Sequence, residues 1–255
     1  MQIPTQTFLV SGGGSGLGAA AAVMLAANGG QVIIADLDSE RGARLAKELG
    51  PSALFVRTDV VDESSVQACL HAGIERFGSI RGIVNCAGVA PGERVVGKSG
   101  PHSLANFRRA IEINLIGTFN VMRLAAHAMS TLPALASGER GVIINTSSIS
   151  ASEGQIGQVA YAASKAGVNG MTLPAARELA KFGIRIMAIA PGICDTPLMQ
   201  AMTDEIRHSL AQQIPFPTRF GHPQEFAALV KHVIENEYLN GSVIRLDGAV
   251  RMGAH

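Results

Sequence analysis

Seven short apolar runs, separated by stretches of helical period, leave this 255-residue chain few ways to fold. They are TFLVSG (7–12), QVIIADL (31–37), ALFVRTDV (53–60), IRGIVNCAG (80–88), GVIINTSS (141–148), IRIMAIAPG (184–192) and SVIRLDG (242–248). Most hold three or four consecutive apolar residues, as strands covered on both faces require. Between them, segments such as ERGARLAKEL and ESSVQACLHAGIERF have helical period, and Asn28-Gly29-Gly30, Gly50-Pro51 and Gly78-Ser79 mark turns. Strand, helix, strand, repeated, predicts a doubly wound α/β fold: one seven-stranded parallel sheet flanked by helices, with right-handed crossovers. No Pro/Gly/Ser-rich linker, internal repeat or low-complexity tract interrupts it, so residues 1–255 are expected to form a single domain. Two stretches, 90–103 and 194–223, break the regular winding. Both follow strands, which places them at the carboxyl edge of the sheet, where such folds bind ligands.

Composition narrows the function classes. Only 16% of residues are charged and the formal net charge is +1, which gives no electrostatic reason to expect nucleic acid or an anionic membrane as a partner. The longest apolar run, AAAAVMLAA (19–27), is far below the roughly 18 residues of a membrane span. The opening MQIPTQTFLVSGG has no basic or arginine-rich pattern, so no targeting peptide is expected. Cys69, Cys86 and Cys194 have neither CxxC nor metal-ligand spacing; no metal is expected, and reduced thiols in a cytoplasm are the simplest reading. Cys69 reads as a small buried apolar side chain.

The turn SGGGSGLG (11–18) joins the first strand to the first helix. Its glycines fit neither G-x-G-x-x-G nor the phosphate-loop pattern, which needs a lysine after the last glycine; they fit G-x-x-x-G-x-G as Gly12, Gly16 and Gly18. Glycine allows the tight turn and close backbone approach, and the helix that follows, with Ser15 and Leu17 at its start, offers free N–H groups to a pyrophosphate. The second strand ends in Asp36, about twenty residues on, where an acid accepts both ribose hydroxyls of an adenosine and repels a 2′-phosphate. Neither Ser15 nor Leu37 supplies a compensating cation, so a Rossmann-type site for NAD rather than NADP is expected. At the next strand ends, Asp59 and Val60 are placed to bracket an adenine, and NCAG brings Cys86, Ala87 and Gly88 alongside the cofactor.

These features, together with a serine thirteen residues before Y-x-x-x-K and the motif P-G-x-x-x-T-P, resemble the short-chain dehydrogenase/reductase family across essentially the whole chain. Within it the chain is most similar to the 3-hydroxyacyl-CoA dehydrogenase type 2 group, also called type 10 17β-hydroxysteroid dehydrogenases, through NLIGTFNVMRL, EGQIGQVAYAASK, GMTLPAARELA and IPFPTR. The chemistry also follows from the residues. Oxidising an alcohol needs a base for the hydroxyl proton, and tyrosine, with a pKa of about 10, is protonated at neutral pH. Lys165, four residues after Tyr161, lies on the same helix face and favours the phenolate. Tyr161 is therefore the expected acid/base and Lys165 its tuner, within reach of the nicotinamide ribose. Ser148 is expected to donate to the substrate oxygen; neighbouring Ser147 competes, but the family's spacing favours Ser148. By the resemblance, the Asn114 side chain helps hold a water linking Lys165 to solvent. Pro191 and Gly192 turn the chain after the sixth strand, and Cys194 and Thr196 follow beside the nicotinamide, with Thr196 placed to bond its carboxamide. Tyr238 reads as a packing residue in a late turn. Two positions depart from the resemblance: Ser11 stands where the family has threonine, and Asp195 where the group has glycine.

The resemblance implies an NAD-dependent dehydrogenase of a secondary alcohol, with a short-chain 3-hydroxyacyl-CoA as the small-molecule substrate. A hydroxysteroid dehydrogenase is the alternative within the enzymes, and a cofactor-binding scaffold subunit the alternative outside them. Gln155, six residues before Tyr161, is placed to meet a thioester carbonyl, LMQAM (198–202) to wall an acyl chain or a flat steroid alike, and Arg94, Lys98, Arg207 and Arg219 to meet distant phosphates. Relatives assemble as tetramers, and the apolar tail up to Met252 reads as a segment packed at a subunit interface.

Overall fold

The computed structural model describes residues 1–98, 100–200 and 203–254. Its main sheet contains β1 (Thr7–Ser11), β2 (Gln31–Asp36), β3 (Ala53–Arg57), β4 (Gly82–Asn85), β7 (Gly141–Thr146), β8 (Ile184–Pro191) and β9 (Val243–Leu246); β5 (Val96–Gly97) and β6 (Gly100–Pro101) form a small antiparallel hairpin. The seven long strands are all parallel, in the order β3-β2-β1-β4-β7-β8-β9. Every expected strand is present and each is shorter than its apolar run. The residues left over, among them Gly12, Thr58–Val60, Cys86–Gly88, Ser147–Ser148 and Gly192, continue past the sheet's carboxyl edge.

Alternate residues of each central strand enter different cores, as the two-residue period of a strand dictates. Phe8, Val10, Ile34, Val84 and Ile144 pack with Leu25 of α1 (Gly16–Ala27) and with Phe226 and Val230 of α10 (Pro223–Glu235). Leu9, Ile33, Ile83 and Ile143 pack with Val66 and Leu70 of α3 (Glu63–Phe77) and with Val121 and Met129 of α5 (Thr118–Ser130). Both faces being apolar is why the runs are continuous rather than alternating. Two of the helices begin where a carboxylate satisfies their free N–H groups: Asp38 accepts from Arg41 N at the start of α2 (Ser39–Leu49), and Asp62 from Ser64 N and Ser65 N at the start of α3.

The layer holding α3 and α5 also holds α4 (Leu104–Ile111), joined to α5 by a π-helical turn over Glu112–Gly117, and the long α7 (Val159–Leu179). Asn114 sits inside that π turn, where the widened backbone accommodates a poor helix former. The irregular stretch 194–223 contains α8 (Pro197–Gln200) and α9 (Asp204–Gln212) and returns to its starting point, Asp195 N donating to Gly221 O at 2.8 Å and Gly221 N to Ile193 O at 2.9 Å. A third, smaller core of Ile149, Ile214, Phe220 and Val250 joins this stretch to α6 (Ser150–Glu153) and the chain's end.

Val250 is fully buried and Met252 packs against the third core, so these apolar residues of the tail find partners within their own chain. One expectation is corrected: Tyr238 is 99% exposed and packs against none of the described residues. Cys69 is fully buried between α3 and the sheet, as read.

The tightest strand contact makes a test of this packing. A Cβ on Gly82 of β4 would overlap the ring of Phe8 on β1, itself fully buried. Gly82→Ala is expected to destabilise the fold by about 1–3 kcal/mol, read from the urea midpoint, and Phe8→Leu in the same chain should recover part of that loss.

Candidate active site

A cleft of about 930 Å³ runs along the carboxyl edge of the sheet. The residues left over from the apolar runs line it.

At one end lie Gly12, Ser15, Gly16, Leu17 and Gly18 with Asp36. Gly12 has a φ of +65°, and a Cβ there would stand 2.6 Å from the backbone nitrogen of Ala87; a Cβ on Gly18 would overlap the Gly12 carbonyl. Glycine is therefore required at both places for β1, α1 and the β4 loop to close on one another. Ser15 is the N-cap of α1 but makes no side-chain cap, and no acid stands in the first turn. The leading N–H groups of α1 therefore face the cleft with the positive end of the helix dipole behind them, which suits a pyrophosphate. Asp36 is held by two backbone N–H groups, Gly14 N to Oδ2 at 2.8 Å and Asp38 N to Oδ1 at 2.9 Å. A carboxylate accepts about four hydrogen bonds, so it retains capacity for ribose hydroxyls. Asp59 and Val60 line the next part, Asp59 Oδ1 accepting from Val61 N at 3.0 Å and Val60 O from Asn120 Nδ2 at 2.9 Å. Arg41, which the sequence reading did not weigh, also lines this end, and its Nε donates to Asp38 at 2.8 Å.

The middle carries Cys86, Ala87, Gly88, Pro191, Gly192, Cys194 and Thr196. A buried polar chain holds these strand ends level: Ser11 Oγ donates to Asn85 Oδ1 at 3.0 Å, and Asn85 Nδ2 to Asn145 Oδ1 at 2.9 Å. Serine at position 11 keeps the hydroxyl this chain of bonds uses. The Cys86 thiol accepts from Thr146 Oγ1 at 3.4 Å, and burial pushes its pKa up to about 11. Cys194 is pushed to about 11 by burial as well; neither thiol is a nucleophile near neutral pH.

Ser148, Tyr161 and Lys165 meet where β7 ends against α7. Ser148 Oγ accepts from Ser150 N at 3.1 Å, which leaves its proton to donate. Burial raises the Tyr161 pKa, and the hydrogen bond from Ser148 pulls the other way. Ser147, the competing serine, donates to the Lys165 carbonyl at 3.3 Å. The Lys165 ammonium is buried, donates to Thr146 O at 2.8 Å, and stands 5.9 Å from the centroid of the Tyr161 ring. Burial lowers its pKa to about 8, so it is cationic at neutral pH and loses charge above it. In the free chain burial, not Lys165, is the leading influence on Tyr161.

Asn114 is more engaged than expected. Its Nδ2 donates to Val89 O at 2.8 Å and to Ser164 Oγ at 2.9 Å, and its Oδ1 accepts from Val89 N at 2.8 Å. One lone pair on Oδ1 is left for anything else. A Cβ on Gly88 would lie 3.1 Å from that oxygen and 3.6 Å from Lys165 Nζ, so Gly88 makes the room the two groups share.

Gln155 lines the far end of the cleft, and its side chain makes no hydrogen bond to the described residues. The walls there are Ile149, Ile193, Met199, Leu210 and Met252. Of the LMQAM segment, Met199 is a wall, while Ala201 and Met202 lie outside the described residues. Leu210 and Met252 were missed: one lies on a polar-looking helix, the other in the tail read as an interface segment. The phosphate cations are corrected in part. Arg207 pairs with Asp195 at 3.2 Å and Arg219 with Glu225 at 2.8 Å; Arg94 and Lys98 are exposed, and Arg94 lines a second groove beside Gln155. Arg207 thus also offsets the charge that Asp195 adds. Among the described residues no helix is long and apolar enough to cross a membrane.

The family model described as short chain dehydrogenase matches residues 6–207. The chain is 51% identical over 246 residues to the 3-hydroxyacyl-CoA dehydrogenase type-2 of Bos taurus, covering 96% of this chain and 94% of that one. It is also 51% identical to the protein of the same name from Drosophila melanogaster, covering 96% of each. The crystal structure of 3-hydroxyacyl-CoA dehydrogenase type-2 from Mycobacterium avium superposes with a TM-score of 0.93 at 43% identity, covering 98% of this chain and 97% of that one. The chain belongs to the short-chain dehydrogenase family, and is an oxidoreductase of alcohol and carbonyl groups that works with a nicotinamide cofactor.

Proposed function

We propose that this protein interconverts a short-chain 3-hydroxyacyl-CoA and its 3-oxoacyl-CoA with NAD as cofactor. The observation that carries the reading is the meeting of Ser148, Tyr161 and Lys165 in a cleft whose other end presents an uncapped helix N-terminus and Asp36. The residues there fit a dinucleotide: Gly12 to Gly18 and the start of α1 would hold the pyrophosphate, Asp36 the adenosine ribose, Asp59 and Val60 the adenine, and Lys165 the other ribose. Cys86, Ala87, Gly88, Pro191, Gly192, Cys194 and Thr196 would flank the cofactor. When bound, the nicotinamide accepts or returns the hydride.

The chain's own residues handle the proton. Tyr161 takes it from the substrate hydroxyl in oxidation and gives it back in reduction. Ser148, which accepts from Ser150 N and keeps its own proton, donates to the substrate oxygen and stabilises the charge that develops there. Lys165 uses one of its three protons on Thr146 O and keeps two for a ribose hydroxyl and for the solvent path beside Asn114. Asn114, bonded to Val89 and Ser164, holds the β4 loop against α7 and so positions Lys165.

For NAD over NADP the support is the Asp36 carboxylate, fixed at the ribose end; Arg41, the cation nearest in sequence, is paired with Asp38. For the acyl-CoA, the support is the names of the relatives, Gln155 with an amide that makes no hydrogen bond to the described residues, and exposed Arg94 lining a groove with it. The apolar walls suit a hydrophobic secondary alcohol such as a steroid equally well, which keeps that reading second. A homotetramer is supported by Ile116 (47% exposed), Phe119 (49%) and Leu173 (44%) on the α5 and α7 layer. Three free thiols suit a reducing compartment such as the cytoplasm.

Tyr161→Phe keeps the ring and removes the proton. Turnover should fall by about 10²–10⁴ while NADH binding, followed by fluorescence, is unchanged; activity within tenfold of wild type would sink the assignment. Because burial holds the phenol protonated, wild-type oxidation should accelerate and reduction slow as pH rises toward about 8, above which Lys165 loses the charge that favours the phenolate and the gain should level off. Asp36→Ala should weaken NAD and narrow the preference over NADP by at least about tenfold; a wild type that uses both equally refutes the role given to Asp36. The substrate reading is tested by kcat/KM for 3-hydroxybutyryl-CoA, free 3-hydroxybutyrate and a 17β-hydroxysteroid. The thioester should win, and a tenfold advantage for either rival would replace it.

A further inference from the structure

Glu153, the last residue of α6 and five residues beyond Ser148, gathers the end of the chain. Arg245 Nη1 donates to its Oε1 at 2.9 Å and Arg245 Nη2 to its Oε2 at 3.2 Å, a two-pronged pair. The same Oε2 accepts from the backbone nitrogen of Met252 at 3.2 Å. Arg245 reaches further, to Asp247 Oδ2 at 2.7 Å and to Val250 O at 3.2 Å. Beyond Met252, Ile156 N donates to Ala254 O at 2.9 Å. Residues 245–254 are thus tied at several points to the segment that carries Gln155.

This strap presents Met252 to the cleft. Its side chain packs against the core of Ile149, Ile214, Phe220 and Val250, as do Ile193, Met199 and Leu210, and lines the same cavity as Ser148, Tyr161 and Gln155. Ile149 and Ile193 adjoin strand ends and are fixed by the sheet. Met252 comes from a tail held by the Glu153 network, and its unbranched thioether adjusts to what it touches. We propose that Met252, held in place by Glu153, sets the length of alkyl chain that the substrate end of the cleft accepts.

The inference rests on the dehydrogenase reading above and adds a specificity residue and a positioning residue to it. Glu153 touches no reacting group; it acts through the tail. Shortening Met252 opens that end of the cleft, and enlarging it closes the same space. The change should appear in the ratio between long and short substrates, not in the chemistry they share.

The test compares kcat/KM for 3-hydroxyacyl-CoA thioesters of four, six and eight carbons in wild type, Met252→Ala, Met252→Phe and Glu153→Gln. Met252→Ala should raise the eight-to-four-carbon ratio by about tenfold and Met252→Phe should lower it by a similar factor, the scale of a few methylene contacts. Glu153→Gln loses the charge that holds Arg245, so KM should rise severalfold at every length with kcat within twofold. Hydrogen exchange at the Ile156 amide, which bonds the tail, should quicken. NADH binding and the thermal midpoint, measured in each variant, separate these effects from misfolding. If wild type oxidises no acyl-CoA but does oxidise 2-alkanols, the substrate reading fails and the same ratio is read on 2-butanol and 2-octanol. If both Met252 variants leave the ratio within twofold of wild type while turnover persists, the role given to Met252 is wrong.

Discussion

The backbone of Gly12 has no space to give. A side chain there would meet the backbone of Cys86 and Ala87, and one on Gly18 would meet Gly12 itself. That contact presses the first turn of α1 against the ends of β1 and β4, and it decides where the free helical N–H groups point. The polar chain Ser11–Asn85–Asn145 spans the ends of β1, β4 and β7 at the same level. It keeps Ser148, just past β7, in register with the glycine turn. A buried polar chain carries this role because its members satisfy one another; an unmatched group at that depth would destabilise the edge.

Burial then sets the protonation states. In the free chain Tyr161 is pushed toward the neutral phenol and Lys165 toward the neutral amine, to about 8. Both shifts arise because the site is closed in by apolar residues and strand ends. Ser148 opposes the first shift by hydrogen bonding. The π turn at Asn114 brings a side-chain amide to both Val89 and Ser164, joining the β4 loop to the helix that carries Tyr161 and Lys165. A strict α-helix would place that residue differently around its axis.

The substrate end is assembled otherwise. Its walls come from the β7 end, the β8 loop, α9 and the tail, segments separated by up to about a hundred residues. Ion pairs hold these pieces: Asp195 with Arg207, Glu225 with Arg219, and Glu153 with Arg245. The first closes the stretch 194–223 on itself, the second ties that stretch to α10, and the third ties β9 to α6. Cations that look available for a ligand's phosphates in the linear sequence are, for Arg207 and Arg219, already committed to carboxylates.

What the amino-acid sequence determined by itself is whatever depends on local spacing. Seven apolar runs imply seven parallel strands because strands covered on both faces must be apolar throughout, and the overshoot of each run past its strand marks the cleft. Tyr161 and Lys165 share a helix face because they are four residues apart, and Gly12 and Gly18 announce a close backbone approach. Other features exist only in three dimensions. The burial that shifts Tyr161 and Lys165, the full engagement of Asn114, and the pairing of Arg207 and Arg219 depend on residues distant in sequence. So do the exposure of Tyr238 and the packing of Met252 against the core that Ile149 and Val250 share. An apolar tail reads the same whether it packs on a neighbour or on its own chain. Only the fold brings Glu153 to Arg245, ninety-two residues away, and turns that tail into a wall of the cleft.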